Sequence, residues 1–165
     1  MKPLRILTLV VTNPAQPAAL ILEPVEESPD GIARVLPIWI GPNEAAHLGM
    51  AMEGLRAKRP LTHDLFLDAI TNLDARIDHV LINRVEGHVF YSKLVLKQGD
   101  RLVELDARPT DSIALAIRQG APLFADEETL RAASYPYVIK RAKSGEAELE
   151  EFRTFLDGIS PEDFN

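Results

Sequence analysis

The chain has 165 residues and a formal net charge of −7, with 46% apolar and 26% charged residues. This length fits one domain, or one domain with a short appendage. The composition is that of a globular protein and excludes both wholesale disorder and collagen-like repetition. The overall acidity is unlike that of most nucleic-acid-binding proteins.

Three strands joined by short turns are predicted first along the chain. Runs rich in Leu, Ile and Val cover residues 5–12, 18–25 and 33–40. Two prolines separate the first pair of runs, and Pro29-Asp30-Gly31 separates the second pair. Prolines and turn residues interrupt sheet ladders, so the pattern predicts an antiparallel meander.

A first helix is predicted to begin at Pro42, because proline is tolerated at the first helical position. Leu48, Met52 and Leu55 are spaced four and three apart, which predicts that they share a core-facing side. The basic residues that follow suit a helix C-terminus.

The remaining elements of the domain are three helices, a hairpin and two further strands. Thr62 is predicted to be the N-cap of a helix over 62–73, and Pro109 opens a helix that ends before Gly120. Strands are expected at 77–85, 89–97, 101–106 and 122–125, with a small helix at 127–133. The order predicts an α+β fold, a mainly antiparallel sheet with helices packed on it in a single roll-like domain.

The last part of the chain is predicted to be an acidic appendage. The net charge is −2 over residues 1–125 and −5 over residues 126–165. Leu149, Phe152, Phe155 and Leu156 fall on one face of a short amphipathic helix. We therefore divide the chain into a domain of residues 1–138 and an appendage of residues 139–165.

The sequence favours a cytoplasmic protein. It contains no cysteine, which excludes disulfides and thiolate metal sites. The first residues lead directly into a strand without a secretory cleavage pattern. No stretch approaches the roughly 18 consecutive apolar residues that a membrane span needs, so we expect no membrane partner.

Two polar junctions beside prolines are the candidate sites for chemistry. One comprises residues 59–64 and the other residues 106–112. Asp106 and Asp111 flank a turn, and we expect their carboxylates to converge near the N-terminus of the third helix. Two carboxylates with a nearby imidazole suit Mg²⁺ or Mn²⁺. Such an ion would activate water, and Arg108 would neutralise the charge that develops on a phosphate.

A purely structural interpretation of the same residues stays open. Asp64, Asp111 and Glu44 all lie in predicted first turns, where an acid complements the helix dipole. Arg108 and Asp106 would then form an ion pair that fixes the corner between strand and helix.

Other polar residues also fit ordinary surface positions. The basic cluster of Arg56, Lys58 and Arg59 fits a solvated helix end as well as a phosphate-binding patch. The isolated histidines fit incidental surface positions, and these are His47, His79 and His88.

Four segments, in order, resemble the signatures of the bifunctional nuclease domain family. Residues 36–45 read LPIWIGPNEA, similar to the family's LPIxIGxxEA, and residues 59–65 read RPLTHDL, similar to RPxTHDL. Residues 89–92 resemble its hairpin FYA element, with Ser92 where Ala is usual. Residues 106–116 resemble DxRPSDAIALA, with Thr110 in place of Ser and Ser112 in place of Ala. The resemblance spans roughly residues 5–135.

This resemblance implies a single α+β domain that often self-associates, with hydrolysis of DNA and RNA claimed for some members. A homodimer or higher homo-oligomer is therefore expected. The resemblance favours a functional reading of the polar junctions over three unrelated caps. The resemblance does not assign a mechanism, and within the junctions it favours His63, Asp64, Asp106, Arg108 and Asp111 as candidate catalytic residues. Glu44 joins Asp106 and Asp111 as a candidate metal ligand, and Arg56, Lys58, Arg59 and Thr62 are candidate substrate contacts.

The leading hypothesis is a metal-assisted nuclease that hydrolyses DNA, RNA or both. Asp106 and Asp111 would hold Mg²⁺ or Mn²⁺, His63 would act as base or acid with Asp64 orienting it, and Arg108 would meet the phosphate. Because the domain itself is slightly acidic, binding to nucleic acid is expected to be weak and salt-sensitive. One alternative is a non-catalytic dimeric module that binds a small anion or a protein partner. A third possibility is that the motifs only maintain the fold and the dimer.

Overall fold

The computed structural model describes residues 1–26, 28, 30–137 and 154. The predicted amphipathic helix of the appendage lies outside these residues, apart from Thr154. The appendage boundary therefore stays a prediction. No helix within the described ranges is long and apolar enough to cross a membrane.

The described residues form eight strands and four helices. The strands are β1 (Lys2–Val10), β2 (Ala18–Pro24), β3 (Arg34–Ile40), β4 (Ala75–Glu86), β5 (Val89–Gln98), β6 (Arg101–Ala107), β7 (Leu123–Ala125) and β8 (Tyr135–Pro136). The helices are α1 (Pro42–Met52), α2 (Thr62–Asn72), α3 (Pro109–Gln119) and α4 (Glu127–Ala133).

The strands make one sheet in the order β6-β5-β4-β7-β1-β2-β3-β8. Two antiparallel meanders, β1–β2–β3 and β4–β5–β6, form most of it. Between them lies β7, which is antiparallel to β1 and parallel to β4. The predicted α+β fold with a mainly antiparallel sheet is confirmed.

One face of this sheet and the inner sides of the helices form the main core. Leu20, Leu36, Ile82 and Ile113 are completely buried there, together with Leu48 of α1. Burying each such side chain contributes about 1.5–3 kcal/mol. This packing holds the first turns of α1, α2 and α3 close to the end of β6.

The first strand begins earlier than predicted. Lys2 and Pro3 pair with Ala125 and Phe124 of β7, so they belong to the ladder. The prediction started at residue 5, after the proline at position 3, whereas pairing with the distant strand β7 extends the ladder to Lys2.

The core face predicted for α1 is wrong at its end. Leu48 is buried, but Met52 is 40% exposed and Leu55 is 52% exposed. The helix stops at Met52, and Gly54 adopts a left-handed conformation with φ of 67° that turns the chain away. Leu55 therefore lies beyond the helix and cannot share its face.

The predicted N-cap of α2 is also wrong. Leu61 occupies the cap position and Thr62 is the first helical residue. The Asp64 carboxylate accepts a hydrogen bond from the backbone N–H of Leu61 at 3.2 Å. An acid at the third helical position thus satisfies the backbone N–H of the cap residue, which is one half of a capping box.

Candidate functional site

A cleft of about 580 Å³ lies where the first turns of α1, α2 and α3 meet the end of β6. Each helix begins after an extended cap residue, and these residues are Gly41, Leu61 and Arg108. Proline follows the cap at α1 and α3, where its missing N–H costs no helical hydrogen bond. Three positive helix ends therefore face one cavity, which favours a negatively charged ligand.

Four side chains in the cleft form a continuous chain of ion pairs. Arg108 donates from Nε to Asp111 Oδ2 at 2.8 Å and from Nη2 to Asp111 Oδ1 at 3.2 Å. Its Nη1 donates to Glu44 Oε1 at 3.1 Å. His63 Nε2 lies 3.2 Å from Asp111 Oδ1. The chain joins α1, α2 and α3 through groups that sequence analysis had singled out.

The electrostatics keep Arg108 and Asp111 charged at neutral pH. Burial of Asp111 raises its pKa, but the hydrogen bonds from Arg108 and His63 outweigh this effect and leave the pKa below its ordinary value of 3.8. The hydrogen bond to Asp111, and then the one to Glu44, raise the pKa of Arg108. The Arg108 side chain is nevertheless 66% exposed, so it can meet a ligand.

Gly41 shapes the position of Glu44. A Cβ atom at residue 41 would lie 2.5 Å from Glu44 Oε2, closer than real Cβ contacts. The Glu44 side chain folds back over the cap of its own helix and reaches Arg108 from there. The glycine in the IGPNEA segment therefore leaves space for the carboxylate.

His47 is a cleft residue that sequence analysis missed. It lines the cavity, and the centre of its ring lies 5.8 Å from that of His63, with the two planes tilted by 57°. It follows Glu44 by three residues, a spacing that places both on the same side of α1. That spacing is the sequence feature that points to His47. A histidine outside a recognisable motif is more often an incidental surface residue, so the sequence analysis placed it on the surface.

A buried hydroxyl pair fixes the corner between β6 and α3. Ser92 Oγ donates to the carbonyl of Ala107 at 2.7 Å, and Ser112 Oγ donates to the carbonyl of Arg108 at 2.9 Å. The two hydroxyl oxygens lie 2.8 Å apart, and both residues are fully buried. This pair holds the backbone from which Arg108 and Asp111 project.

Asp64 lies outside the chain of ion pairs in the cleft. Its Oδ1 accepts a hydrogen bond at 2.9 Å from Nε of Arg118, whose side chain is only 7% exposed. That bond, followed by the one from the Leu61 N–H, outweighs burial and lowers the pKa of Asp64. These contacts give Asp64 a structural role in joining α2 to α3. No contact with His63 supports the predicted orienting role within the part of the chain that the structure describes.

Asp106 and Asp111 both line the cleft, and the convergence of their carboxylates stays a prediction. Its neighbours Leu105 and Ala107 pack against the main core, and side chains alternate between the faces of a strand. Asp106 therefore shares the opposite face with Glu104, which pairs with Lys93 at 2.6 Å. Because β6 is at the sheet edge, Asp106 still forms part of the cleft rim.

The candidate metal ligands do not form a ready cation site. Among the residues that the structure describes, no group of three or more His, Asp or Glu side chains is placed to hold a metal ion. Glu44 and Asp111 are both engaged by the Arg108 guanidinium, and Asp106 belongs to the other face. The donor set therefore does not fit Mg²⁺ or Mn²⁺ as arranged, and the metal stays a prediction.

The predicted substrate contacts divide into two groups. Thr62 lines the cleft. The basic residues Arg56, Lys58 and Arg59 are exposed in the segment that connects α1 to α2, outside the cavity lining. Their role in guiding a nucleic-acid strand stays a prediction.

The match to a known family decides how the cleft is interpreted. The bifunctional nuclease domain matches residues 25–137, which is more than half of the chain. The chain belongs to this family. The resemblance inferred from the four segments is thereby confirmed.

Two relatives are similar over almost their entire length. They are Uncharacterized protein MT1877 from Mycobacterium tuberculosis (strain CDC 1551 / Oshkosh) and Uncharacterized protein Rv1829 from Mycobacterium tuberculosis (strain ATCC 25618 / H37Rv). Each is 36% identical over 171 residues, covering 99% of this chain and 98% of the relative. The alignment therefore extends beyond the family domain and includes the acidic appendage.

Within this bifunctional nuclease domain, the motif segments build the cleft. Residues 36–45 supply Gly41 and Glu44, residues 59–65 supply His63, and residues 106–116 supply Arg108 and Asp111. The hairpin segment 89–92 supplies Ser92, whose hydroxyl donates a hydrogen bond to the carbonyl of Ala107 in segment 106–116. Segments that are far apart in sequence thus contribute to one site.

Proposed function

We propose that the protein is a nuclease that hydrolyses phosphodiester bonds of nucleic acid in the cleft between α1, α2 and α3. The observation that carries the proposal is the continuous chain Glu44–Arg108–Asp111–His63, which places a guanidinium beside an oriented imidazole. Membership of the bifunctional nuclease domain family supports the same reaction class.

Arg108 is assigned to the phosphate. Its guanidinium carries five N–H groups, and the contacts among described residues use three of them. One N–H on each Nη atom is left for a phosphate oxygen, and paired donors of this kind suit phosphate recognition. The flanking carboxylates hold the fork in position and reduce its freedom before the ligand arrives.

His63 is assigned to proton transfer. In the neutral tautomer that donates from Nε2 to Asp111, the Nδ1 atom is left as a proton acceptor. Asp111 orients the ring and stabilises the imidazolium that forms when the proton is taken up. No step of this assignment runs through Mg²⁺ or Mn²⁺, and metal dependence is left to measurement.

The test is hydrolysis of single-stranded RNA and DNA by highly purified protein, with and without Mg²⁺, Mn²⁺ and a chelator. We expect His63→Ala to lower the rate at least about 100-fold, since positioned proton transfer contributes about 10²–10⁴-fold. His88→Ala, in the β4–β5 hairpin turn and outside the cleft lining, is the matched control. Activity that is equal in the wild type, His63→Ala and Arg108→Ala would come from a contaminant and would refute the proposal.

A second candidate function is anion binding without turnover. The exposed Arg108 fork at three converging helix ends favours it, because these groups bind phosphate whether or not a bond is broken. Calorimetry with inorganic phosphate and a mononucleotide separates the two functions. Binding that Arg108→Ala abolishes, without cleavage of RNA or DNA by the wild type, would favour the module over the enzyme.

Weak, salt-sensitive binding to nucleic acid and homo-oligomerisation are parts of the same proposal. The low net charge of residues 1–125 supports the first, because counterion release by Lys and Arg drives such binding. Filter binding across a salt series and the mass in solution test the two separately.

A further inference from the structure

The cleft contains two imidazoles instead of the one that the proposed mechanism uses. His47 projects from α1 and His63 from α2, and their ring centres lie 5.8 Å apart. The charged groups that line the cleft with them are Asp106 and the Glu44, Arg108 and Asp111 members of the chain of ion pairs. Two groups that can transfer protons therefore lie in the same cleft as a guanidinium that can bind phosphate. Such a set suits a reaction that needs both an acid and a base.

We propose that the cleft cleaves RNA through the substrate's own 2′-hydroxyl, with His47 as the second catalytic residue. The inference rests on the proposed nuclease function and narrows it to ribonucleotide substrates. His63 takes a proton at one side of the phosphorus, and His47 delivers a proton at the other side.

The distance between the two rings suits a mechanism in which one imidazole accepts a proton and the other donates one. A proton-transfer group must come within about 2.6–3.2 Å of the oxygen it serves. In an in-line displacement, the attacking and leaving oxygens lie on opposite sides of one phosphorus atom. Ring centres 5.8 Å apart are on the scale of one phosphoryl group with its two apical oxygens, and Arg108 lines the same cleft to bind a non-bridging oxygen.

The reaction balances without an external nucleophile. Nδ1 of His63 accepts the proton of the 2′-hydroxyl as the 2′-oxygen forms a bond to phosphorus. The bond from phosphorus to the 5′-oxygen of the next nucleotide breaks, and that oxygen receives the proton of the His47 imidazolium. The products are a 2′,3′-cyclic phosphate and a free 5′-hydroxyl. A deoxyribose lacks the attacking group, so DNA is not cut by this route.

The decisive substrate is a DNA strand that contains one ribonucleotide, compared with the all-DNA strand and with the same strand carrying a 2′-O-methyl group. We expect cleavage of the first strand alone, directly after the ribonucleotide, with a cyclic phosphate detected by mass spectrometry. Cleavage of all three strands, or products with a 5′-phosphate, would overturn the inference while leaving the nuclease function intact. Absence of cleavage in every strand and in RNA would overturn the proposed function as well.

The role of His47 is tested with two leaving groups. His47→Ala should slow cleavage of a dinucleotide at least about 100-fold. It should slow cleavage of uridine 3′-(4-nitrophenyl phosphate) less than about tenfold, because nitrophenolate leaves without a proton. His63→Ala should slow both substrates, since the 2′-hydroxyl must lose its proton in each. Retained activity on the aryl ester also shows that the His47→Ala protein is folded. Equal losses on the two substrates, or no loss on either, would refute the assignment.

Discussion

At Gly41, the addition of a single methyl group should lower the nuclease rate with little loss of stability. Alanine would place its Cβ 2.5 Å from Glu44 Oε2 and displace the carboxylate from Arg108. We expect Gly41→Ala to lower the nuclease rate about tenfold, since a hydrogen bond to a charged group contributes about 1.5–3 kcal/mol. Unfolding stability should fall by only about 1 kcal/mol, because the backbone at Gly41 suits alanine.

Gly49→Ala is the matched control in the same helix. A Cβ there meets only Leu9 Cδ2 at an ordinary 3.8 Å. Steady-state rates and urea unfolding of both variants check the prediction. An equal loss of activity in the two variants would contradict the role given to Gly41.

Asp64 should matter for stability instead of catalysis. Asp64→Asn leaves the buried Arg118 without its carboxylate, and breaking such a pair costs about 3 kcal/mol. Within the described residues, the Nη1 and Nη2 atoms of Arg118 are buried without hydrogen-bond partners, so no second acceptor compensates. Urea unfolding at pH 7 measures the loss, with the exposed Asp68→Asn of the same helix as control. A loss of less than 1 kcal/mol would refute this role.

The same pair predicts a pH dependence with a defined sign. The pKa of Asp64 in the folded protein lies below its ordinary value of 3.8, chiefly because of the hydrogen bond from Arg118. The stability that Asp64 contributes is therefore fully present above pH 3.8 and is lost as the pH falls through the folded pKa. The difference in unfolding free energy between wild type and Asp64→Asn should be constant from pH 6 to 8 and smaller at pH 3. A difference that grows towards acid pH would contradict it.

At the scale of elements, the junction of β6 and α3 is the feature that positions the site. Ser92 and Ser112 both stand where the family segments usually have alanine, and they contact each other in the core. The two hydroxyl groups have only two protons for three oxygen–oxygen contacts. The hydrogen bonds of Ser92 and Ser112 therefore depend on each other. The two departures from the resembled segments are therefore in direct contact.

A double-mutant cycle tests this coupling. We expect Ser92→Ala and Ser112→Ala each to cost about 1–2 kcal/mol, since each leaves a buried group with fewer partners. The double variant should cost less than the two single variants together, by about 1 kcal/mol. Strict additivity in urea unfolding would show that the two hydroxyls act independently.

The elements that sequence predicts well are those governed by local rules. Pro42 and Pro109 mark the starts of α1 and α3, because the preference of proline for a first helical position depends only on its own ring. The end of α1 was missed because Gly54 ends the helix before Leu55, although the spacing of Leu55 continues the pattern. The full length of β1 depends on pairing with β7, which local sequence does not reveal.

The site was predictable only in part for the same reason. Glu44, His63, Arg108 and Asp111 were identified as charges at helix starts, but their direct contacts depend on how the helices pack. Asp106 was expected beside Asp111 because the two flank a turn. Strand alternation places it on the face that Glu104 occupies, at the rim of the cleft that Asp111 also lines. The pairing of His47 with His63 arises because α1 and α2 each pack against α3, and no rule about isolated histidines predicts it.

On the scale of the whole molecule, charge is distributed unevenly. Residues 140–165 carry four Lys or Arg and seven Asp or Glu. We expect deletion of this segment to strengthen binding to single-stranded nucleic acid a few-fold at low salt. The gain should shrink as salt rises, because the screening length falls from about 30 Å at 0.01 M to about 8 Å at 0.15 M ionic strength.

Fluorescence anisotropy with a labelled oligonucleotide measures this effect. A full-length control with Glu148, Glu150 and Glu151 changed to Gln removes charge without removing chain. Similar gains in the two variants would identify electrostatic repulsion as the cause. Unchanged or weaker binding after deletion would contradict the prediction.

The three-residue strand β7 has a consequence for how the protein folds. It joins the two meanders within the sheet, and the Glu44–Arg108 ion pair connects α1, which follows the first meander, to the strand–helix junction that follows the second. These residues are 64 positions apart, so their contact closes a long loop whose entropy must be overcome before it forms. Each meander can form from neighbouring segments, but the cleft exists only after the meanders have joined. Recovery of phosphate binding during refolding should therefore lag behind recovery of β-sheet signal, and the cleft should be the last part of the domain to assemble.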